Sequence, residues 1–91
     1  MSALIFEETE FRWDADRFAM AFVAYDGSKR VLCMISGEAL LHHFGAKEVS
    51  GGMEAAFVAN VSKIEAKARE LYRAGRVDES GRVLLRSADF S

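Results

Sequence analysis

The chain has 91 residues, 51% of them hydrophobic and 29% charged, with a formal net charge of −2. That balance is expected of one folded domain covering residues 1–91, since a disordered chain is poorer in apolar residues or more highly charged. The absence of proline and the single cysteine exclude a disulfide scaffold, a Pro-rich linker and a collagen-like repeat. A sequence pI near 5.6 argues against a strongly electrostatic nucleic-acid binder.

Met1 to Glu8 runs from a short apolar stretch into acid, without the basic start and long apolar core of a signal peptide. The longest apolar run, Phe18 to Tyr25, is eight residues, where a membrane-spanning helix needs about 20. The expectation is a cytoplasmic protein without a membrane partner. Cys33, lacking a partner for an intramolecular bridge, fits that compartment.

Leu4-Ile5-Phe6 reads as a first strand. The stretch from Glu7 to Asp16 is open between loop and strand, with Phe11 and Trp13 alternating with charged neighbours. Asp14-Ala15-Asp16-Arg17 reads as a turn. From Phe18 to Ser36 two apolar runs flank Tyr25-Asp26-Gly27-Ser28, the pattern of a hairpin with Asp26 and Gly27 as a type I′ loop. In that register Phe22 opposes Val31 and Met20 opposes Cys33. Side chains alternate between faces, so Phe18, Met20, Phe22, Val31, Cys33 and Ile35 share a core face. Ala19, Ala21, Val23, Tyr25, Arg30, Leu32 and Met34 share the other, a flat and mildly apolar surface.

Ser36 is placed to cap a short helix, Glu38 to Phe44, that Gly45 terminates. A second helix is expected from about Met53 to Ala74. Its apolar stripe is Met53, Phe57, Val61, Ile64, Ala68, Leu71 and Tyr72. As one continuous helix it would be roughly 33 Å long and lie diagonally across the sheet. Arg82-Val83-Leu84-Leu85-Arg86 closes as a strand. The sum is an α+β two-layer sandwich: a mostly antiparallel sheet of N-terminal strand, Asp-Gly hairpin and C-terminal strand, packed by one short and one long helix.

Several of these elements, in this order, are familiar. Trp13-Asp14 precedes the hairpin at Phe22 and Asp26-Gly27. Cys33-x-Ile35-Ser36-x-Glu38-Ala39-Leu40 follows, then Phe44-Gly45. Ala56-Phe57-x-x-Asn60-x-x-x-Ile64 with Ala68 comes next, and Val83-x-Leu85 leads into Ser87-Ala88-Asp89-Phe90. From about Phe6 to Phe90 the chain resembles the bacterial family catalogued as domain of unknown function 1488. The resemblance implies a small bacterial α+β protein without an assigned activity, and it carries over no catalytic residue.

The chemistry-bearing residues each have a structural explanation. His42 and His43 point about 100° apart on a helix and do not share one metal easily. Cys33 falls on the core face, where a thiol behaves as a small hydrophobe. Asn60 borders the helical stripe, where a buried amide anchors backbone. Asp14 and Asp16 serve a turn more simply than acid–base chemistry. The bases between Lys63 and Arg86 read as a solvated helix face and favourable charge at a helix C-terminus. No catalytic residue, metal site or cofactor is therefore expected.

The reading that follows is a non-enzymatic module for protein interaction or self-association. A two-layer domain covers one sheet face with helices, which leaves Ala19, Ala21, Val23, Tyr25, Arg30, Leu32 and Met34 to meet water, the N-terminal segment or another chain. The partner is an unknown protein or a second copy, not nucleic acid. The alternative is a small-molecule binder or minor enzyme with a pocket near Trp13 and the two helices.

Overall fold

The computed structural model describes residues 4–6 and 10–90; Glu7 and Glu8, part of the open stretch before Phe11, lie outside the described residues. One sheet runs in the order β1 (Phe11–Asp14), β2 (Ala19–Asp26), β3 (Lys29–Ser36), β4 (Val83–Leu85). The first three strands are antiparallel neighbours, and β4 lies parallel to β3. A parallel neighbour requires a crossover. It is supplied by α1 (Gly37–His43), α2 (Gly52–Ala59) and α3 (Val61–Arg73), and a 3₁₀ turn at Ser87–Phe90 ends the described chain. The architecture is the expected α+β one, with a mostly antiparallel sheet.

The rows across the sheet show which side is inside. Phe11, Phe22, Cys33 and Val83 form one row, and Trp13, Met20, Ile35 and Leu85 the next. These side chains join Leu40, Phe57, Ile64 and Ala68 from the helices in a single core. Phe22 and Phe57 meet with ring centroids 5.2 Å apart, at a tilt aromatic pairs favour. Ser36 caps α1 as expected, its hydroxyl accepting from the Ala39 N–H at 3.1 Å.

Four expectations need correction. The hairpin loop is Gly27-Ser28, because Asp26 still pairs with Lys29 in the ladder. Gly27 has φ of 62° and Ser28 does not share the positive φ, the pattern of a type II′ turn rather than type I′. Asp26 is held in the strand by a second bond, its Oδ2 accepting from the Tyr72 hydroxyl at 2.5 Å. Phe22 consequently opposes Cys33 and Met20 opposes Ile35. Each partner moves by two residues, so every side chain keeps the face assigned to it.

Phe18 is the exception on that face. It lies outside β2 with φ of 49° and is 44% exposed. Its ring meets Trp13 edge-on at 5.3 Å and covers Gly37, where a Cβ would collide with it. Its carbonyl accepts from the Gly37 N–H at 2.8 Å, which ties the turn to the start of α1.

The long helix is two helices, broken at Asn60. The Asn60 side-chain amide donates to the Ala56 carbonyl at 2.9 Å. That carbonyl is the acceptor a continuous helix would offer the Asn60 backbone N–H, which turns to Phe57 instead at 3.2 Å. An asparagine competing with its own backbone in this way favours a break over helix interior. The apolar stripe survives the break, with Phe57, Ile64, Ala68 and Leu71 all buried.

Leu4–Phe6 is not a strand of its own. Ile5 makes one antiparallel bridge to Tyr25, with N–H···O bonds of 2.8 and 3.0 Å in both directions. Leu4 and Phe6 turn to the helix side: Leu4 is buried in the core, its carbonyl accepts from Arg69 Nε at 3.0 Å, and the Arg69 guanidinium lies 5.0 Å from the Phe6 ring.

Candidate functional site

The side of the sheet away from the helices carries all seven of the residues assigned to it. Across the strands the rows are Arg12–Ala21–Met34–Leu84, Val23–Leu32, and Tyr25–Arg30 continued by Ile5. Ala19 and Met34 are 7% and 5% exposed, while Ala21, Val23 and Leu32 are half-buried. Tyr25 and Ile5, at 39% and 51%, mark the far end. Of the described N-terminal residues, Leu4 and Phe6 are committed to the helix layer, and Ile5 only extends the row at its edge.

At the other end of the face lies a shallow concavity of about 290 Å³. Its floor includes Ala19, Met34 and Leu84, and its rim includes Arg17, Arg82 and Arg86. Two turns hold the rim. Asp14 Oδ1 accepts from the backbone N–H groups of Asp16 and Arg17 at 3.1 and 3.2 Å, and its Oδ2 takes Arg17 Nη1 at 2.9 Å. Asp78 repeats the device: Oδ1 accepts from the N–H groups of Ser80 and Arg82 at 2.9 and 2.8 Å, and Oδ2 takes Arg82 Nε at 2.8 Å. The Arg17 guanidinium holds Asp14 below the usual carboxylate range, and the Arg82 backbone N–H does most to lower Asp78. Both acids therefore stay ionised and keep their arginines in place. Arg86, Arg12 and Arg30 are exposed and make no ion pair among the described residues.

Leu84, Arg12, Arg17, Arg82 and Arg86 were not assigned to this face from sequence. The alternation Arg82-Val83-Leu84-Leu85-Arg86 does place residues 82, 84 and 86 on one side. What the sequence hides is that this strand pairs beside β3, next to Met34.

The other chemistry-bearing residues do not converge on a single site among the described residues. Cys33 is fully buried between Phe22 and Val83, and desolvation pushes its thiol up to about 12. That leaves no thiolate at neutral pH. His42 and His43 are both exposed, and His43 Nε2 lies 3.1 Å from Ser87 Oγ. Among the described residues no three His, Cys, Asp or Glu side chains converge as a metal site. No described helix is long and apolar enough to cross a membrane. A second concavity, of about 480 Å³, lies beside the helices and is lined by residues that include His43, Phe44, Lys67 and Phe90. Trp13, around which a pocket was expected, does not line it; its ring packs on Phe18 instead.

Comparison with known proteins agrees with the fold and supplies no activity. Residues 4–85 match the model of a family described as protein of unknown function, DUF1488. A crystal structure at 1.60 Å of a DUF1488 protein of unknown function from Shewanella loihica PV-4 superimposes with a TM-score of 0.82. It shares 25% sequence identity, over 91% of each chain. No curated protein matches this sequence.

Proposed function

This chain belongs to the DUF1488 family, and we propose that it is a non-enzymatic interaction module that docks another protein on the open face of its sheet. The observation that carries the reading is that face itself. Ala21, Val23, Leu32 and Leu84 make a half-buried aliphatic strip around the buried Met34, and the core cluster on the helix side includes none of them. A contiguous apolar strip with a polar rim is the usual character of a protein-binding surface. The titratable groups support a non-enzymatic role, since Asp14, Asp78 and the Tyr72–Asp26 pair serve turns and the packing of α3 on the hairpin. The module belongs to the bacterial cytoplasm in this reading, where a single buried thiol is at home.

The test is a capture experiment with three forms of the protein, followed by light scattering. The wild type is expected to hold a partner in a defined stoichiometry. Leu32→Glu should lose it while keeping the native circular dichroism spectrum, and Lys63→Glu, on the helix side, should retain it. A complex indifferent to Leu32→Glu contradicts the reading. A defined dimer of the chain alone, broken by Leu32→Glu, would make the partner a second copy.

A further inference from the structure

Resting on the docking face proposed above, we infer that its partner is the acidic segment of a different protein, with carboxylates beside apolar side chains. The apolar residues lie on the Met34–Leu84 floor and a carboxylate sits among Arg17, Arg82 and Arg86.

The rim carries this. Arg17 is held through Nη1 and Arg82 through Nε, so each keeps other guanidinium N–H groups for a ligand. Guanidinium presents carboxylates with a planar fork of donors, and a fork already fixed by a turn loses less freedom on binding. Arg86 adds a third guanidinium at the same concavity and has no ion pair of its own among the described residues. Arg12 and Arg30 continue the positive rim along the strip. Three acids touch this rim and all are engaged: Asp14 by Arg17, Asp78 by Arg82, and Asp89 by Arg76 and the Arg86 backbone N–H.

That arrangement disfavours the other occupants. In a twofold pairing each face meets a copy of itself. Two such faces would bring guanidiniums together with Asp14 and Asp78 already taken, and like charges juxtaposed at an interface are costly. Single-stranded nucleic acid prefers aromatic platforms under its bases. Here the floor is aliphatic, and Tyr25 stands at the far end of the face.

The experiment uses the full chain and a labelled ten-residue peptide of alternating Glu and Leu. A Gln-Leu peptide and a dT20 oligonucleotide serve as competing probes. Fluorescence anisotropy should show binding of the Glu-Leu peptide that weakens steadily between 50 and 300 mM salt. The Gln-Leu peptide and the oligonucleotide should bind at least about tenfold more weakly, a difference of one charge-assisted contact or more. Arg86→Gln should cost several-fold in affinity and leave the melting temperature unchanged, because Arg86 holds the turn to Asp89 only through its backbone N–H and carbonyl, which glutamine keeps. Equal binding of the Gln-Leu peptide, tighter binding of dT20, or indifference to Arg86→Gln overturns the acidic-partner inference. Should the Glu-Leu peptide fail while Leu32→Glu still abolishes capture of a partner, the docking face stands and only its acidic chemistry falls.

Discussion

The two faces of the sheet are made by the same strands and differ in packing: one is sealed throughout, while the other buries Ala19 and Met34 and leaves their neighbours half-exposed. Toward the helices stand Met20, Phe22, Val31, Cys33, Ile35, Val83 and Leu85, all essentially inaccessible to water. Away from them stand Ala19, Ala21, Val23, Leu32, Met34 and Leu84, flanked by arginines. A face that needed only to be wet would carry polar residues at these positions. A face that needed to be core would carry bulk and no charged rim. The open face is intermediate, apolar enough to gain from being covered and charged enough at its rim to choose what covers it. Alternation along each strand keeps the two roles apart, since neighbours such as Leu32 and Cys33 are adjacent in sequence and opposite in fate.

The largest expected effect breaks the inner face. Phe22→Glu buries an unpaired carboxylate among Phe57, Cys33 and Met20, and should cost more than about 4 kcal/mol, enough to unfold a domain of this size. Urea titration followed by circular dichroism reads it. The matched change on the open face, Leu32→Glu, should cost about 1 kcal/mol or less, because the new carboxylate stays in water. Equal losses would erase the distinction between the faces.

A smaller effect tests the corner where the two faces meet. Gly37→Ala places a Cβ against the Phe18 ring and should cost about 1–3 kcal/mol through overpacking. Combining it with Phe18→Ala should recover most of that loss, since the two residues are in direct contact. A purely additive double mutant would show that the ring does not rest on Gly37.

The smallest effect concerns the tie between α3 and the hairpin tip. Tyr72→Phe removes the hydrogen bond to Asp26 and should cost about 1 kcal/mol or less, as the pair is partly exposed. The bond to the Asp26 carboxylate raises the Tyr72 pKa. A group whose pKa rises on folding stabilises the native state below its unfolded pKa, near 10, and loses that contribution as pH rises through the folded value. Wild type and Tyr72→Phe should therefore converge in stability in strong alkali and differ at neutral pH. A constant difference across that range would contradict the bond.

Much of this was legible in the sequence because it depends on period and parity. Alternation sorted β2 and β3 onto the correct faces even though the loop was placed one residue early, for the partners moved by two. Where the structure departs from the pattern, a single side chain outweighs it. Asn60 sits in an unbroken apolar stripe, and only its bond to the Ala56 carbonyl divides the helix. Phe18 extends the alternation of β2, yet its backbone adopts a left-handed φ and its ring closes over Gly37. The arginine rim is a different case. Arg17, Arg82 and Arg86 come from segments far apart in the chain, and their meeting depends on β4 pairing parallel to β3. Local pattern does not determine that choice; the packing of the crossover helices does.

The most direct test labels two neighbouring positions with a thiol reagent under native conditions. Cys33 in the wild type should react slowly, at the rate of global opening, because it is buried with its pKa pushed up to about 12. The thiol introduced by Leu32→Cys in a Cys33→Ala background should react faster by orders of magnitude and become protected when the acidic peptide is added. Comparable rates at the two positions, or a Leu32→Cys thiol that the bound peptide leaves unprotected, would contradict a sheet with one sealed face and one docking face.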